Sequence, residues 1–234
     1  MDSRLIVALD LPSAEPALAL ADRLRGHVRW FKVGLELYCA EGPRLVRELR
    51  SRGFSVFLDL KLHDIPNTVA AAVRSAAATG AELLTLHAAG GPAMLGAAAE
   101  AAASLPIPPR LLAVTVLTSM DAAQLSATGI DEPPAVQVQR LAALAAGSGI
   151  TGLVASAEEV ATLRGLYPGS ILVIPGIRPA GAAIGDQKRV ATPAAALAAG
   201  ASYLVIGRPI TQAPDPVEAT RNIVAEMASV PAAS

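Results

Sequence analysis

The chain has 234 residues, 53% of them hydrophobic and 17% charged, with a formal net charge of -1. That length fits one α/β barrel or two small domains and is ample for a buried core. The near-neutral balance argues against an extended surface for nucleic acid or anionic membrane, so any site for a polyanion must be local.

The first apolar run, Leu5-Ile6-Val7-Ala8-Leu9, is short and is cut by Asp10, so it reads as a strand rather than a signal peptide. Strands are predicted at 5–11, 30–37, 55–62, 83–87, 111–117, 152–155, 171–175 and 203–206, where β-branched and leucine-rich runs occur. Alanine-rich amphipathic segments lie between them, with helices expected at 43–52, 69–79, 136–146 and 216–228. Eight strand–helix units in this length predict an α/β fold, a single (β/α)8 TIM barrel over residues 1–234. The tail from about residue 229 is expected to fray. No apolar run reaches the length of a membrane span. One cysteine, Cys39, excludes an intrachain disulfide and reads as packing. Its isolation fits a reducing compartment, so a cytoplasmic location is expected. The three histidines, His27, His63 and His87, have no metal-ligand spacing with it.

In such a barrel, function sits at the C-terminal ends of the strands. The unusual polar residues fall there: Asp10, Lys32, Asp59, Lys61, His87, Thr118, Arg178 and Gly207-Arg208. The densest stretch is Asp59-Leu60-Lys61-Leu62-His63-Asp64-Ile65-Pro66-Asn67-Thr68. Alternation on the third strand puts Phe57, Asp59 and Lys61 on one face and Leu58, Leu60 and Leu62 on the other. Leucines suit a layer of covering helices. Asp59 and Lys61 must then line a solvated or ligand-filled cavity, or pair with each other, because unpaired buried charge is costly. A structural salt bridge is the plainer reading of Asp-x-Lys. Asp64 immediately after it, and Pro66 with Asn67 and Thr68 opening a helix, favour a site.

Lys32 alone reads as a snorkelling strand-end lysine; with Asp59 on the next strand it joins an alternating array, Lys32–Asp59–Lys61–Asp64. Asp10 reads either as a site residue or as a cap for the segment at Pro12-Ser13. His87 reads as a hydrogen-bonded structural histidine before a proton shuttle, and His63 has no assigned role. The loops after strands seven and eight commonly hold a phosphate in this fold. Here they carry Pro175-Gly176-Ile177-Arg178 and Gly207-Arg208. Gly207 lets the backbone approach an anion, and the Arg208 guanidinium can grip two oxygens at once. The polar stretch 178–192, with Gly185-Asp186-Gln187-Lys188-Arg189, reads as a candidate lid or an idle insertion.

These residues together resemble the orotidine 5′-phosphate decarboxylase family in its short bacterial form. The likeness runs in order through Ala8-Leu9-Asp10, Phe31-Lys32-Val33-Gly34, Asp59-x-Lys61-x-x-Asp64-Ile65-Pro66-Asn67-Thr68, Leu86-His87-Ala88-Ala89-Gly90-Gly91 and Val116-Leu117-Thr118-Ser119. It continues through Pro175-Gly176-Ile177-Arg178, Gly185-Asp186-Gln187-Lys188-Arg189 and Gly207-Arg208-Pro209-Ile210. The resemblance implies a metal- and cofactor-free homodimer that converts orotidine 5′-phosphate to UMP. It implies Lys61 as proton donor to pyrimidine C6, with Asp59 and Lys32 in the charged array. Asp64, Ile65 and Thr68 are implied to come from the partner chain. Asp10 and Lys32 are implied to hold ribose hydroxyls, Thr118 the pyrimidine, and Arg178, Gln187, Gly207 and Arg208 the phosphate.

That chemistry suits the residues. Loss of CO2 from C6 leaves an in-plane carbanion that the ring cannot delocalise. An ammonium about 3 to 4 Å away offers roughly 4 kcal/mol at an effective dielectric near 20, and then a proton. Flanking carboxylates keep that amine cationic. Two rival readings stay open. One is a metal-dependent keto-gulonate phosphate decarboxylase or hexulose phosphate synthase, which shares Asp-x-Lys-x-x-Asp but lacks the Ile-Pro-Asn-Thr continuation. The other is a non-catalytic barrel that binds a phosphorylated ligand.

Overall fold

Eight parallel strands pair in chain order and close on themselves. They are β1 (Leu5–Ala8), β2 (Trp30–Gly34), β3 (Ser55–Leu62), β4 (Leu83–His87), β5 (Arg110–Val114), β6 (Gly152–Val154), β7 (Ile171–Ile174) and β8 (Tyr203–Ile206). This computed structural model describes residues 2–179 and 191–230. The connections supply α1 (Ala14–Arg23), α2 (Leu35–Glu41), α3 (Pro43–Ser51), α4 (Pro66–Ala77), α5 (Gly91–Ala103) and α6 (Ala122–Ser126). They continue with α7 (Pro134–Gly147), α8 (Val160–Leu166), α9 (Pro193–Ala198), α10 (Arg208–Thr211) and α11 (Pro216–Ala228). The architecture is the (β/α)8 TIM barrel expected from the alternation of runs.

Two apolar clusters follow from period-two alternation along the strands. Ile6, Ala8, Trp30, Phe57, Leu83, Leu112, Val173 and Val205 point inward and fill the barrel. Their neighbours Leu5, Val7, Phe31, Val33, Leu58, Leu84 and Leu204 point outward into the larger cluster shared with the helices. Each Val, Leu, Ile or Phe side chain among them contributes about 1.5–3 kcal/mol when taken from water. Trp30 and Tyr203, at the starts of β2 and β8, meet edge to face with centroids 5.6 Å apart and close the floor. At Gly152 a Cβ would collide with Leu112 Cδ2 and with the Leu111 carbonyl oxygen. Only glycine lets β6 draw this close to β5. The floor is therefore packed, and open space is left at the opposite, C-terminal mouth.

The third, fourth and eighth strands run as predicted. Others stop before their apolar runs do: β1 ends at Ala8, β2 at Gly34 and β5 at Val114. At the mouth the chain must leave the ladder to reach the helical layer, and α2 begins directly after Gly34. Helix α4 starts at Pro66, earlier than the expected 69. Proline lacks an N–H that the first turn would leave unsatisfied, and its fixed φ already suits a helix. At the other end of the chain, Ser229 and Val230 still donate backbone hydrogen bonds to Glu226 and Met227. The remaining tail, 231–234, lies outside the described residues. Among the described residues no helix is long and apolar enough to cross a membrane.

Candidate active site

Strand β3 does not finish as a regular strand. Leu58 pairs with Leu84 but Leu62 pairs with Leu86, so β3 carries extra residues between these points. Lys61 lies in this bulge with φ +49°, and it is the one non-glycine residue with positive φ among those described. A bulge re-aims a side chain at the cost of local strain. Here it turns the Lys61 ammonium onto Asp59, with Nζ donating to Oδ1 at 2.9 Å.

Asp59 is the hub of the mouth. Its Oδ1 also accepts the Thr85 hydroxyl at 3.0 Å, and its Oδ2 lies 3.7 Å from the Lys32 ammonium. Lys32 in turn donates to Asp10 Oδ1 at 2.9 Å. The charges therefore alternate Asp10–Lys32–Asp59–Lys61 across β1, β2 and β3. The middle of the chain is shielded, with side-chain exposures of 11% for Lys32 and 13% for Asp59, against 31% for Lys61 and 57% for Asp10. Each charge of the array has an opposite partner, which offsets the cost of taking it out of water. Gly34 makes room for the array. Its φ of -94° is open to any residue, yet a Cβ there would stand 2.7 Å from Lys32 Nζ and 3.3 Å from Asp10 Oδ1.

Two joined hollows face this array. A cavity of about 200 Å³ is lined by Lys32, Asp59, Lys61, Thr118 and the apolar Phe57, Val114, Val154 and Val173. A second, of about 290 Å³, is lined by Asp10, Lys32, Gly176, Arg178, Gly207 and Arg208. Lys32, Pro175 and Val205 belong to both. One lobe thus offers apolar walls beside an ammonium, and the other offers two guanidiniums and glycine backbone. Arg178 is buried; its backbone N–H donates to the Ala191 carbonyl and its Nη1 to the Ile177 carbonyl, each at 3.0 Å. Those bonds hold its backbone and one end of its guanidinium, and the residue lines the second lobe.

A sequence model described as the orotidine 5′-phosphate decarboxylase / HUMPS family matches residues 3–223. The chain belongs to this family. It is 55% identical over 227 residues to a protein named orotidine 5′-phosphate decarboxylase from Halorhodospira halophila, covering 97% of this chain and 96% of the relative. A protein of the same name from Anaeromyxobacter sp. is 56% identical over 223 residues, covering 95% and 97% respectively. The crystal structure of an orotidine 5′-phosphate decarboxylase from Lactobacillus acidophilus superposes with TM-score 0.84 at 38% identity, covering 97% of this chain and 99% of that one.

For this family member, the fold brings Asp10, Lys32, Asp59, Lys61, Thr118, Arg178, Gly207 and Arg208 around one mouth, as the sequence led us to expect. It does not bring Asp64 to Lys61 within the chain. Asp64 is exposed and its Oδ1 accepts the N–H of Ile65 at 2.6 Å. The alternating array therefore begins one member earlier, at Asp10, rather than ending at Asp64. The chain bends at Asp64 before α4 begins at Pro66, and Asp64, Ile65 and Thr68 are all exposed, Ile65 to 67%. Gln187 and most of the candidate lid lie outside the described residues.

His87 differs from expectation. Its Nδ1 is buried with no hydrogen-bond partner among the described residues. The ring instead stacks on His63, with centroids 5.6 Å apart and planes 26° from parallel. Burial, then the neighbouring His63 and Lys61, push its pKa below the ordinary 6.5 and keep it neutral near pH 7. His63 carried no signal in the sequence, since a lone histidine beside a strand end predicts no stacking partner. Thr85, also missed, did carry one. It is the sole polar residue before the terminal histidine in Leu83-Leu84-Thr85-Leu86-His87, and the alternation points it inward.

Proposed function

We propose that this chain decarboxylates orotidine 5′-phosphate to UMP, the last step of de novo pyrimidine synthesis, without metal or cofactor. The observation that carries this reading is the Lys61 ammonium, held by Asp59 on the wall of an apolar slot that opens into an arginine-lined lobe. The relatives named for this activity at about 55% identity support it. The pyrimidine occupies the slot near Thr118, the ribose hydroxyls meet Asp10 and Lys32, and the phosphate meets Arg178, Gly207 and Arg208.

The C6–carboxylate bond breaks heterolytically, CO2 leaves, and the electron pair stays on C6. The Lys61 ammonium stabilises that pair electrostatically and then transfers one proton to it. The amine regains its proton from solvent. Binding of the distant phosphate contributes to the chemical step by fixing the ring against Lys61. We assign Asp64, Ile65 and Thr68 to the mouth of a partner chain in a homodimer. Their exposure, with an isoleucine 67% open to solvent, supports that assignment. A cytoplasmic location accords with the single cysteine.

The deciding experiment follows the ultraviolet absorbance of orotidine 5′-phosphate with purified protein after exhaustive EDTA treatment. Loss of absorbance with stoichiometric UMP is expected. No turnover, or turnover restored only by a divalent cation, would exclude the reading and favour the metal-dependent sugar-phosphate chemistry.

Gly34→Ala provides a sharper check on the array. The backbone accepts alanine, so the thermal midpoint should move by only a few degrees, roughly 1 kcal/mol or less. The new methyl displaces the Lys32 ammonium, and kcat/KM for orotidine 5′-phosphate should fall about 10-fold or more. Steady-state kinetics beside thermal unfolding measure both; unchanged kinetics would remove Lys32 from the site.

A further inference from the structure

We infer that Thr85 is a positioning residue for this reaction, holding both ends of Lys61 through a single hydroxyl. The inference rests on the function proposed above. Thr85 sits in the middle of β4, faces the barrel interior and has no exposed surface. Its Oγ1 accepts the Lys61 backbone N–H at 2.8 Å and donates its one proton to Asp59 Oδ1 at 3.0 Å. The same Oδ1 accepts the Lys61 ammonium at 2.9 Å.

These three bonds form a closed circuit. It runs from the Lys61 backbone to the Thr85 hydroxyl, on to the Asp59 carboxylate, and back to the tip of the Lys61 side chain. A hydroxyl suits the post because it can accept from one neighbour while donating to another. The location is also the one where a clamp is needed. Lys61 occupies the bulge where β3 loses register with β4, and its φ of +49° is unfavourable for a side chain with a Cβ. Regular pairing with β4 cannot take up the Lys61 N–H at this break, and the Thr85 side chain does so instead. Directing the hydroxyl proton to Asp59 also leaves fewer orientations for that carboxylate, which itself aims the ammonium. Thr85 touches neither substrate nor reacting atoms; it acts through Asp59 and Lys61.

Three variants test the role. Thr85→Val keeps the shape and loses both hydrogen bonds, whereas Thr85→Ser keeps both and loses a buried methyl. Thr85→Val is expected to lower kcat for orotidine 5′-phosphate about 10- to 100-fold with KM changed less than about 3-fold. Thr85→Ser should retain kcat within about 3-fold even if it melts earlier, because turnover follows the hydroxyl rather than the packing. Thr85→Ala, lacking both features, should match Thr85→Val in kcat and lose more packing than Thr85→Ser.

Equal kcat in the valine variant and wild type, or a serine variant as impaired as the valine one, would overturn the inference. Hydrogen exchange at the Lys61 amide gives a readout that does not depend on turnover. Slow exchange in wild type and Thr85→Ser with fast exchange in Thr85→Ala or Thr85→Val supports the clamp. Equal exchange in all of them sinks it. A wild-type protein that leaves orotidine 5′-phosphate intact would overturn the proposed function instead, and the amide would still decide the part played by Thr85.

Discussion

Lys61→Ala is expected to reduce turnover of orotidine 5′-phosphate by more than about 10,000-fold, because in the proposed mechanism one substitution removes both the charge that stabilises the C6 electron pair and the proton donated to it. No other described cation is placed to substitute. Lys32 is engaged by Asp10 at 2.9 Å, so it cannot reach forward without breaking that bond. The contacts proposed for phosphate and ribose remain in this variant, so UMP should still bind with a measurable affinity. Calorimetry with UMP and a discontinuous assay for CO2 release check the two halves separately. A variant that turns over at near wild-type rate would end the assignment of Lys61. A variant that neither binds nor turns over would instead point to a collapsed β3 bulge, which thermal unfolding would reveal.

Asp59→Asn should be the second most damaging change. The substitution preserves shape but withdraws the negative charge shared by Lys32 and Lys61. Two ammoniums would then face one neutral amide, and each would shift toward whatever solvent it could reach. We expect kcat to fall by about 100- to 1,000-fold, the usual scale for removing one electrostatic element of an active site. The effect on stability should be smaller, about 1–2 kcal/mol, because Lys32 keeps Asp10 and Lys61 is partly solvated. Kinetics and thermal denaturation of the same preparation measure the contrast. Loss of folding without a specific loss of kcat would show that Asp59 serves mainly as a structural counter-ion.

Asp59 and Gly34, paired across β2 and β3, act on the same ammonium. The first attracts Lys32 and the second leaves it space. Their substitutions should therefore not be additive, as expected for residues sharing one partner. The stacked His63 and His87 rings stand beside this array without joining it. Keeping His87 neutral avoids adding a third positive charge near Lys61, whose field already contributes to holding that imidazole uncharged.

Much of this was legible along the chain. The order of apolar runs and alanine-rich segments pointed to a barrel, since eight such units match a sheet that pairs in sequence around one core. Motif spacing marked Asp10, Lys32, Asp59, Lys61, Arg178 and Arg208, because charged side chains at strand ends have nowhere to go but the mouth. Alternation even assigned Asp59 to the inner face, where the fold has it. What lay beyond the sequence were the contacts that depend on register between strands. The bulge at Lys61 arises from β3 pairing with β4 and leaves no local mark. Asp10 rather than Asp64 completes the array within one chain because β1 and β2 are hydrogen-bonded neighbours, while the chain bends at Asp64 and leaves that carboxylate exposed. The His63–His87 stack and the Thr85 clamp likewise join residues from adjacent strands. The one-dimensional pattern fixes which residues face inward; only closure of the barrel decides which of them meet, because hydrogen bonds and ion pairs act over a few ångströms that sequence separation does not measure.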